Sequence, residues 1–296
     1  MDVFVQHVVN GLALGGVYAL LSLGLALVFS ILGLINFAHG ELLTLGGYAI
    51  YGGLAVLALP FGGAVVVAII ATAVAAMAME RVAFRPVRDA SAASMLLTSF
   101  AVSALLQVVL QNAISPRGKA IVTPAFFKQA ITISDLVVGS IQALSIVATA
   151  ILLLLLMVFL RSTVLGLAMR AAAVDFRTTR LMGIHANAVV ATAFALSGIL
   201  AGVAALLWVA QSGSVRPLMG LVPVLKAFIA VILGGLGSLP GAVVGGFVLG
   251  FIEVFLRAYL PGAALEFREA IALLIVITIL FFRPQGLLGR RVEAAR

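Results

Sequence analysis

The chain has 296 residues, 64% of them hydrophobic and 9% charged, with a formal net charge of +8. Soluble domains carry about 25% charged residues, and one core of this length cannot enclose so much apolar surface, so water is excluded as the solvent for most of the chain. There is no cysteine, which rules out disulfides and thiolate metal sites. The basic surplus is of the kind that orients membrane helices, and nucleic acid is not needed to explain it.

A helix needs roughly 20 apolar residues to cross about 30 Å of hydrocarbon, whereas barrel strands run about 9–11 residues with in/out alternation. The uncharged runs 139–160 and 188–210 do not alternate, so the spans are helical. In chain order the apolar segments are 7–31, 41–59, 62–80, 93–114, 139–160, 188–210, 221–236, 241–260 and 270–282. These nine predict about 8–10 crossings, with the short ones either complete or re-entrant. Met1 to Gln6 lacks a basic n-region, so the first helix is expected to be retained. The longest intervening stretches, 115–138 and 161–187, are too small for separate domains. The expectation is one all-α membrane domain over 1–296, with helix and tight turn elsewhere.

Arg81, Arg85, Arg88, Arg161, Arg170, Arg177, Arg180, Arg283, Arg290, Arg291 and Arg296 fall on one side if these spans alternate. The other side receives Arg117, Lys119, Lys128, Arg216 and Arg268, offset by Asp2, Asp135, Glu266 and Glu269. The positive-inside rule then places the first group and the C-terminus in the cytoplasm and the N-terminus outside. Gly11/Gly15, Gly198/Gly202, Gly241/Gly245 and Gly246/Gly250 are i,i+4 pairs, read as flat stripes for close helix packing.

Two breaks interrupt the apolar sequence: Ile35 to Glu41, with Asn36, His39 and Glu41, and Gly234 to Gly241, with Gly235, Gly237 and Ser238. Asn36 and Ser238 are N-cap types, and Pro240 suits a first helical turn. Paired interruptions in two halves of a membrane chain point to a transport pathway. The competing reading is two ordinary interfacial turns, which the charge-based topology favours by placing both near the cytoplasm. Among lone charges, Glu253 and Arg257 are expected to pair at i,i+4, and Lys226 to snorkel outward or to meet a carboxylate in the bundle. His39 has no metal-binding spacing around it.

Residues 161–187 have an Ala-rich, helix-compatible middle. Asp175 is a cap for a short helix through Phe176 to Met182, and Gly183 ends it. That amphipathic piece suits a groove on another protein or an anionic lipid surface.

The sequences INFAHGELLTLGGY at 35–48, MRAAAVDFRTTRLMGI at 169–184 and KAFIAVILGGLGSLPGAVVGGFVLGFIE at 226–253 closely resemble the LivH-type permeases of branched-chain amino acid ABC importers. The resemblance extends over nearly the whole chain. It implies a type II-like ABC importer permease in the bacterial inner (cytoplasmic) membrane, with a LivM-type partner permease, two cytoplasmic ATPases that bind ATP and Mg, and a periplasmic substrate-binding protein. It implies that Arg170, Asp175, Arg177, Arg180, Leu181, Gly183 and Ile184 belong to a coupling loop that docks on an ATPase. Phe176, Arg177 and Thr179 depart from the commonest pattern of that loop. No nucleotide-binding Gly-x-x-x-x-Gly-Lys-Ser/Thr occurs in this chain, so no cofactor is expected on it. Related permeases are associated with urea, short amides and aromatic acids as well as leucine, isoleucine and valine, and no residue distinguishes these cargoes. An ion-gradient transporter would need more intramembrane charge than Glu41, Lys226 and Glu253 supply. No catalytic constellation supports an intramembrane enzyme.

Overall fold

The computed structural model describes residues 2–133 and 136–289. Asp135, Arg290, Arg291 and Arg296, used above for orientation, lie outside the described residues, as does the side chain of Arg177. The helices are α1 (Asp2–Leu32), α2 (His39–Ala55), α3 (Phe61–Met79), α4 (Ala92–Ala113), α5 (Ser140–Ser162), α6 (Val164–Val174), α7 (Phe176–Leu181), α8 (Ala186–Ser212), α9 (Leu221–Gly234), α10 (Leu239–Tyr259) and α11 (Arg268–Phe282). Each of the nine expected spans corresponds to one of α1–α5 and α8–α11. A π turn, Glu80–Phe84, extends α3.

Among the described residues six helices are long and apolar enough to cross a membrane: α1, α3 with its π turn, α4, α5, α8 and α10. At about 1.5 Å per residue, α2, α9 and α11 reach only about 25, 21 and 22 Å, short of the hydrocarbon thickness. The expectation of helix and tight turn outside the spans is corrected at one end of the bundle. There β2 (Ala130–Ile133) and β3 (Leu136–Gly139) form a hairpin, and β1 (Lys119–Ala120) pairs with β4 (Ser214–Val215). β-Branched residues such as Val137 and Val138 favour the extended backbone there. This is the hairpin end; the opposite, arginine-rich end carries 85–91, 163–185, 235–238 and 283–289.

The centre is α1 and α8. Of their most apolar windows 83% and 67% lie buried, against 22% for α3, α4 and α5. The peripheral helices expose aliphatic side chains such as Leu97, Leu105, Leu154 and Leu155, as lipid-facing surfaces do. The glycine pairs all serve packing. A Cβ on Gly250 would collide with the backbone of Gly15, and one on Gly246 with that of Ala19, so α1 and α10 touch backbone to backbone. Gly198 and Gly202 seat α8 on Thr72 and Ile69 of α3, and Gly245 sits on Ala230 of α9.

Candidate functional site

The first break turns back inside the bundle. After Gly33 the chain reverses, and α2 starts at His39 beneath Ala38, which makes no side-chain cap. Asn36 therefore does not cap α2, contrary to expectation; its backbone carbonyl accepts from the His39 N–H at 3.2 Å, while its buried side chain has no hydrogen-bond partner. Phe37 anchors the turn by stacking on Phe100 of α4 at 4.5 Å and tilting against Phe228 of α9 at 5.4 Å. His39 is fully buried; its Nδ1 lies 3.0 Å from the Ser197 hydroxyl, and its ring fills the space beside Gly24. Gly24 is eight residues from the end of α1 and Ser197 eleven from the start of α8. At helical rise, His39 sits about 12–16 Å in from the arginine-rich end. The interfacial-turn reading of this break does not fit that depth.

Glu41, one turn further, is 2% exposed. Its Oε1 accepts from the Ser103 hydroxyl at 3.0 Å and from Gln107 Nε2 at 2.7 Å, both on α4. Its Oε2 and His39 Nε2 make no hydrogen bond of regular geometry among the described residues, although the Thr44 hydroxyl acts on the carboxylate and the Leu21 backbone on the His39 ring. A buried polar group left unpaired costs about 1–3 kcal/mol, and inside a membrane such groups mark pathways.

The start of α9 meets the start of α2. The Gly220 N–H donates to Thr44 Oγ1 at 3.1 Å, and Gly40 and Gly220 touch through their backbones. Before that contact, the chain leaves α8 through Gly213, pairs β4 with β1, and runs inward so that Val215 and Met219 lie against Gly47 of α2. Two short helices thus begin side by side within the bundle and run to opposite ends. The partner of the first break is the segment 213–220, not 234–241.

Residues 234–241 form a tight turn at the arginine-rich end. Ser238 caps α10 as expected, its Oγ accepting from the Gly241 N–H at 3.1 Å, with Pro240 in the first turn. Gly235 and Gly237 take φ of +109° and +82°, conformations that favour glycine. The N–H groups of Leu287 and Leu288 donate to the carbonyls of Leu233 and Gly234 at 2.8 and 2.9 Å, fastening the segment after α11 over this turn.

Of the lone charges, Glu253 pairs otherwise than expected, and Lys226 follows the second of its two expected courses. Glu253 bonds not to Arg257 but to Lys226 at 2.8 Å, and it accepts from the Tyr18 hydroxyl at 3.0 Å. Lys226 therefore meets a carboxylate inside the bundle rather than snorkelling, tying α1, α9 and α10 together, with Glu269 of α11 at 3.7 Å. At the arginine-rich end Arg88 pairs with Glu80 and donates to Asn187 Oδ1 at 2.9 Å, joining the π turn to α8.

Residues 161–187 fold as expected around Asp175, whose Oδ1 accepts from the Thr178 N–H at 3.0 Å to cap α7. Gly183 ends that helix at φ +82°. Arg170, Arg180, Leu181 and Met182 are exposed. Ile184 is half-buried, lining an apolar groove of about 1030 Å³ between α6, α7 and the start of α8. Among the described residues no group of three or more His, Cys, Asp or Glu could hold a metal ion.

Residues 7–280 match the family described as branched-chain amino acid transport system / permease component. The chain belongs to this permease family. It is 36% identical to the high-affinity branched-chain amino acid transport system permease protein BraD of Pseudomonas aeruginosa, over 97% of this chain and 96% of that one. It is 33% identical to the corresponding LivH of Escherichia coli K12 over the same shares, and 29% identical to a probable LivH of Methanocaldococcus jannaschii over 91% and 88%. Among solved structures, PsaBC from Streptococcus pneumoniae in complex with Fab matches with a TM-score of 0.48 at 15% identity, over 97% of this chain and 94% of that one.

The chain is thus an all-α, multi-pass membrane permease whose relatives are transport proteins, not enzymes. Within this permease, sequence reasoning missed Ser103, Gln107 and Ser197, the partners of Glu41 and His39. It also took 211–220 for a plain turn between spans. The available signals were Gly213, Pro217 and Gly220 so close together, and the shortness of the span that follows.

Proposed function

We propose that this chain is the membrane-spanning subunit of an ATP-driven importer for branched-chain or related aliphatic amino acids. The observation that carries the reading is the meeting of two short helices inside the bundle, beside the buried polar side chains of Asn36, His39 and Glu41, in a chain of the branched-chain amino acid permease family. Irregular backbone at membrane depth is tolerated where it lines a protein-enclosed path. The whole chain acts as one permease domain. Its arginine-rich end faces the cytoplasm and its N-terminus faces outward, as the positive-inside rule requires.

In this reading cargo passes the start of α2, and the turn at Gly234, Gly235, Gly237 and Ser238 bounds the path at its cytoplasmic end. A second permease subunit of LivM type completes the path. A periplasmic binding protein delivers cargo and does most of the selecting. ATP and Mg bind to two partner ATPases. Their closure pushes on the segment containing Arg170, Asp175, Arg177, Arg180, Leu181, Gly183 and Ile184, whose exposed Leu181 and Met182 and adjoining apolar groove offer a docking surface. The motion passes from α6 and α7 into α8, on which His39 rests.

The test is leucine uptake together with binding-protein-stimulated ATPase activity of the assembled importer. An Arg180→Ala, Gly183→Val double variant, which removes a surface charge and strains a left-handed residue by about 1–2 kcal/mol, is expected to assemble normally and to lose both activities. Normal uptake and normal stimulation would contradict the coupling assignment.

A further inference from the structure

Between the end of α4, the end of α8 and the inward-running segment before α9 lies a cavity of about 790 Å³, within the range of about 300–1,000 Å³ typical of small-molecule sites. Its walls are of two kinds. Arg216, Gln111, Ser212 and Ser214 supply the polar side, and Trp208, Leu218, Met219 and Val222 lie on the apolar side. No acidic residue lines it, and no ion pair to Arg216 occurs among the described residues. The position of Arg216 follows from its neighbours. Val215 is held by β4 pairing with Lys119 and is fully buried, and the aliphatic stem of Arg216 lies over Gly118, where an added Cβ would come within 3.1 Å. Arg216 thus lines the cavity together with Met219 and Val222, which follow it at the start of α9.

We infer that this cavity is a transit site for a zwitterionic aliphatic amino acid, its carboxylate taken by Arg216 and its side chain received by Trp208, Leu218, Met219 and Val222. The inference rests on the importer reading for the cargo. A guanidinium presents paired N–H donors that match a carboxylate, and in a cavity without acidic walls it favours an anionic group over a cationic one. Gln111 offers a side-chain carbonyl to the ammonium group. The apolar wall accepts an aliphatic side chain of varied shape, so the site reads the amino acid backbone and tolerates differences among side chains.

The chain has no cysteine, so Val222→Cys places a single thiol on the cavity wall. In the assembled importer, without ATP or binding protein, millimolar leucine is expected to slow labelling of that thiol by a polar maleimide. Leucinamide, which keeps the ammonium and side chain but lacks the carboxylate, is expected not to. Arg216→Gln in the same background should raise the half-protecting leucine concentration about tenfold or more, and Arg216→Lys should restore much of the protection. Equal protection by leucine and leucinamide, or protection that survives Arg216→Gln, would overturn the assignment. Absence of any protection in a Val222→Cys importer that still takes up leucine would overturn it as well. ATP-driven uptake by the unaltered importer is measured alongside, so failure of the importer reading registers separately from failure of the cavity assignment.

Discussion

Lys226 and Glu253 are 16% and 12% exposed and hold each other in otherwise apolar surroundings. Lys226→Met leaves the carboxylate with only the Tyr18 hydroxyl close by, and removing one partner of a buried pair costs about 3 kcal/mol or more. A lower melting temperature of the purified protein is expected, with most of the loss recovered in a Lys226→Met, Glu253→Leu double variant. An undiminished melting temperature in the single variant would show that the pair does not hold α1, α9 and α10 together. Glu41 is the second case. Glu41→Ala strands the Ser103 and Gln107 donors and is expected to cost about 2 kcal/mol, whereas Glu41→Gln keeps an acceptor and costs less; the same melting comparison checks it. The partners in these networks were not legible in the sequence, which left Lys226 either to snorkel or to meet a carboxylate it could not name. The i,i+4 rule sees only neighbours on one helix, so it offered Arg257 to Glu253 and had no view of Lys226, 27 residues away on α9. Asn36 looked like a cap because its type is right, but the turn it sits in starts the helix two residues later.

At the scale of elements, nine apolar segments were legible because length and hydropathy are local properties, and all nine are helices. The caps at Ser238 and Asp175 were legible for the same reason, since each bonds within three residues of itself. What local pattern could not supply was depth. The first break reads either as a pathway element or as an interfacial turn until Gly24 and Ser197 show how far in it lies, and 213–220 reads as a plain loop until Gly220 meets Thr44. The glycine stripes were legible as packing surfaces, though their partners were not. Gly250→Val drives a side chain into the backbone of Gly15, where no rotamer change relieves it. Overpacking of this kind costs about 1–3 kcal/mol or more, and the variant is expected to reach the membrane at lower yield and to melt earlier. Gly62→Val, with nothing within 4 Å of the added carbon, is expected to behave as the unaltered protein. Equal behaviour of the two variants would mean that α1 and α10 do not cross as closely as they do here.

At the scale of the molecule, two buried central helices are surrounded by helices that expose aliphatic side chains, and the short helices α2 and α9 pack against them from starts that meet inside the bundle. α8 links the regions that matter: its start adjoins the groove beside Gly183, its middle supports His39, and its end borders the cavity at Arg216. In the proposed mechanism this one helix is the element through which a displacement at the groove would reach His39 and the cavity. The chain carries few intramembrane charges, and the most buried of the ion pairs, Glu80 with Arg88 and Lys226 with Glu253, are internally neutralised. That leaves little for an ion gradient to act on. The most direct test is leucine accumulation in proteoliposomes containing the complete importer and its binding protein, with ATP supplied on the ATPase side and ionophores present to dissipate all gradients. ATP-dependent accumulation that is insensitive to the ionophores is the predicted result. Accumulation without ATP, driven by an imposed proton or sodium gradient and abolished by the ionophores, would contradict it.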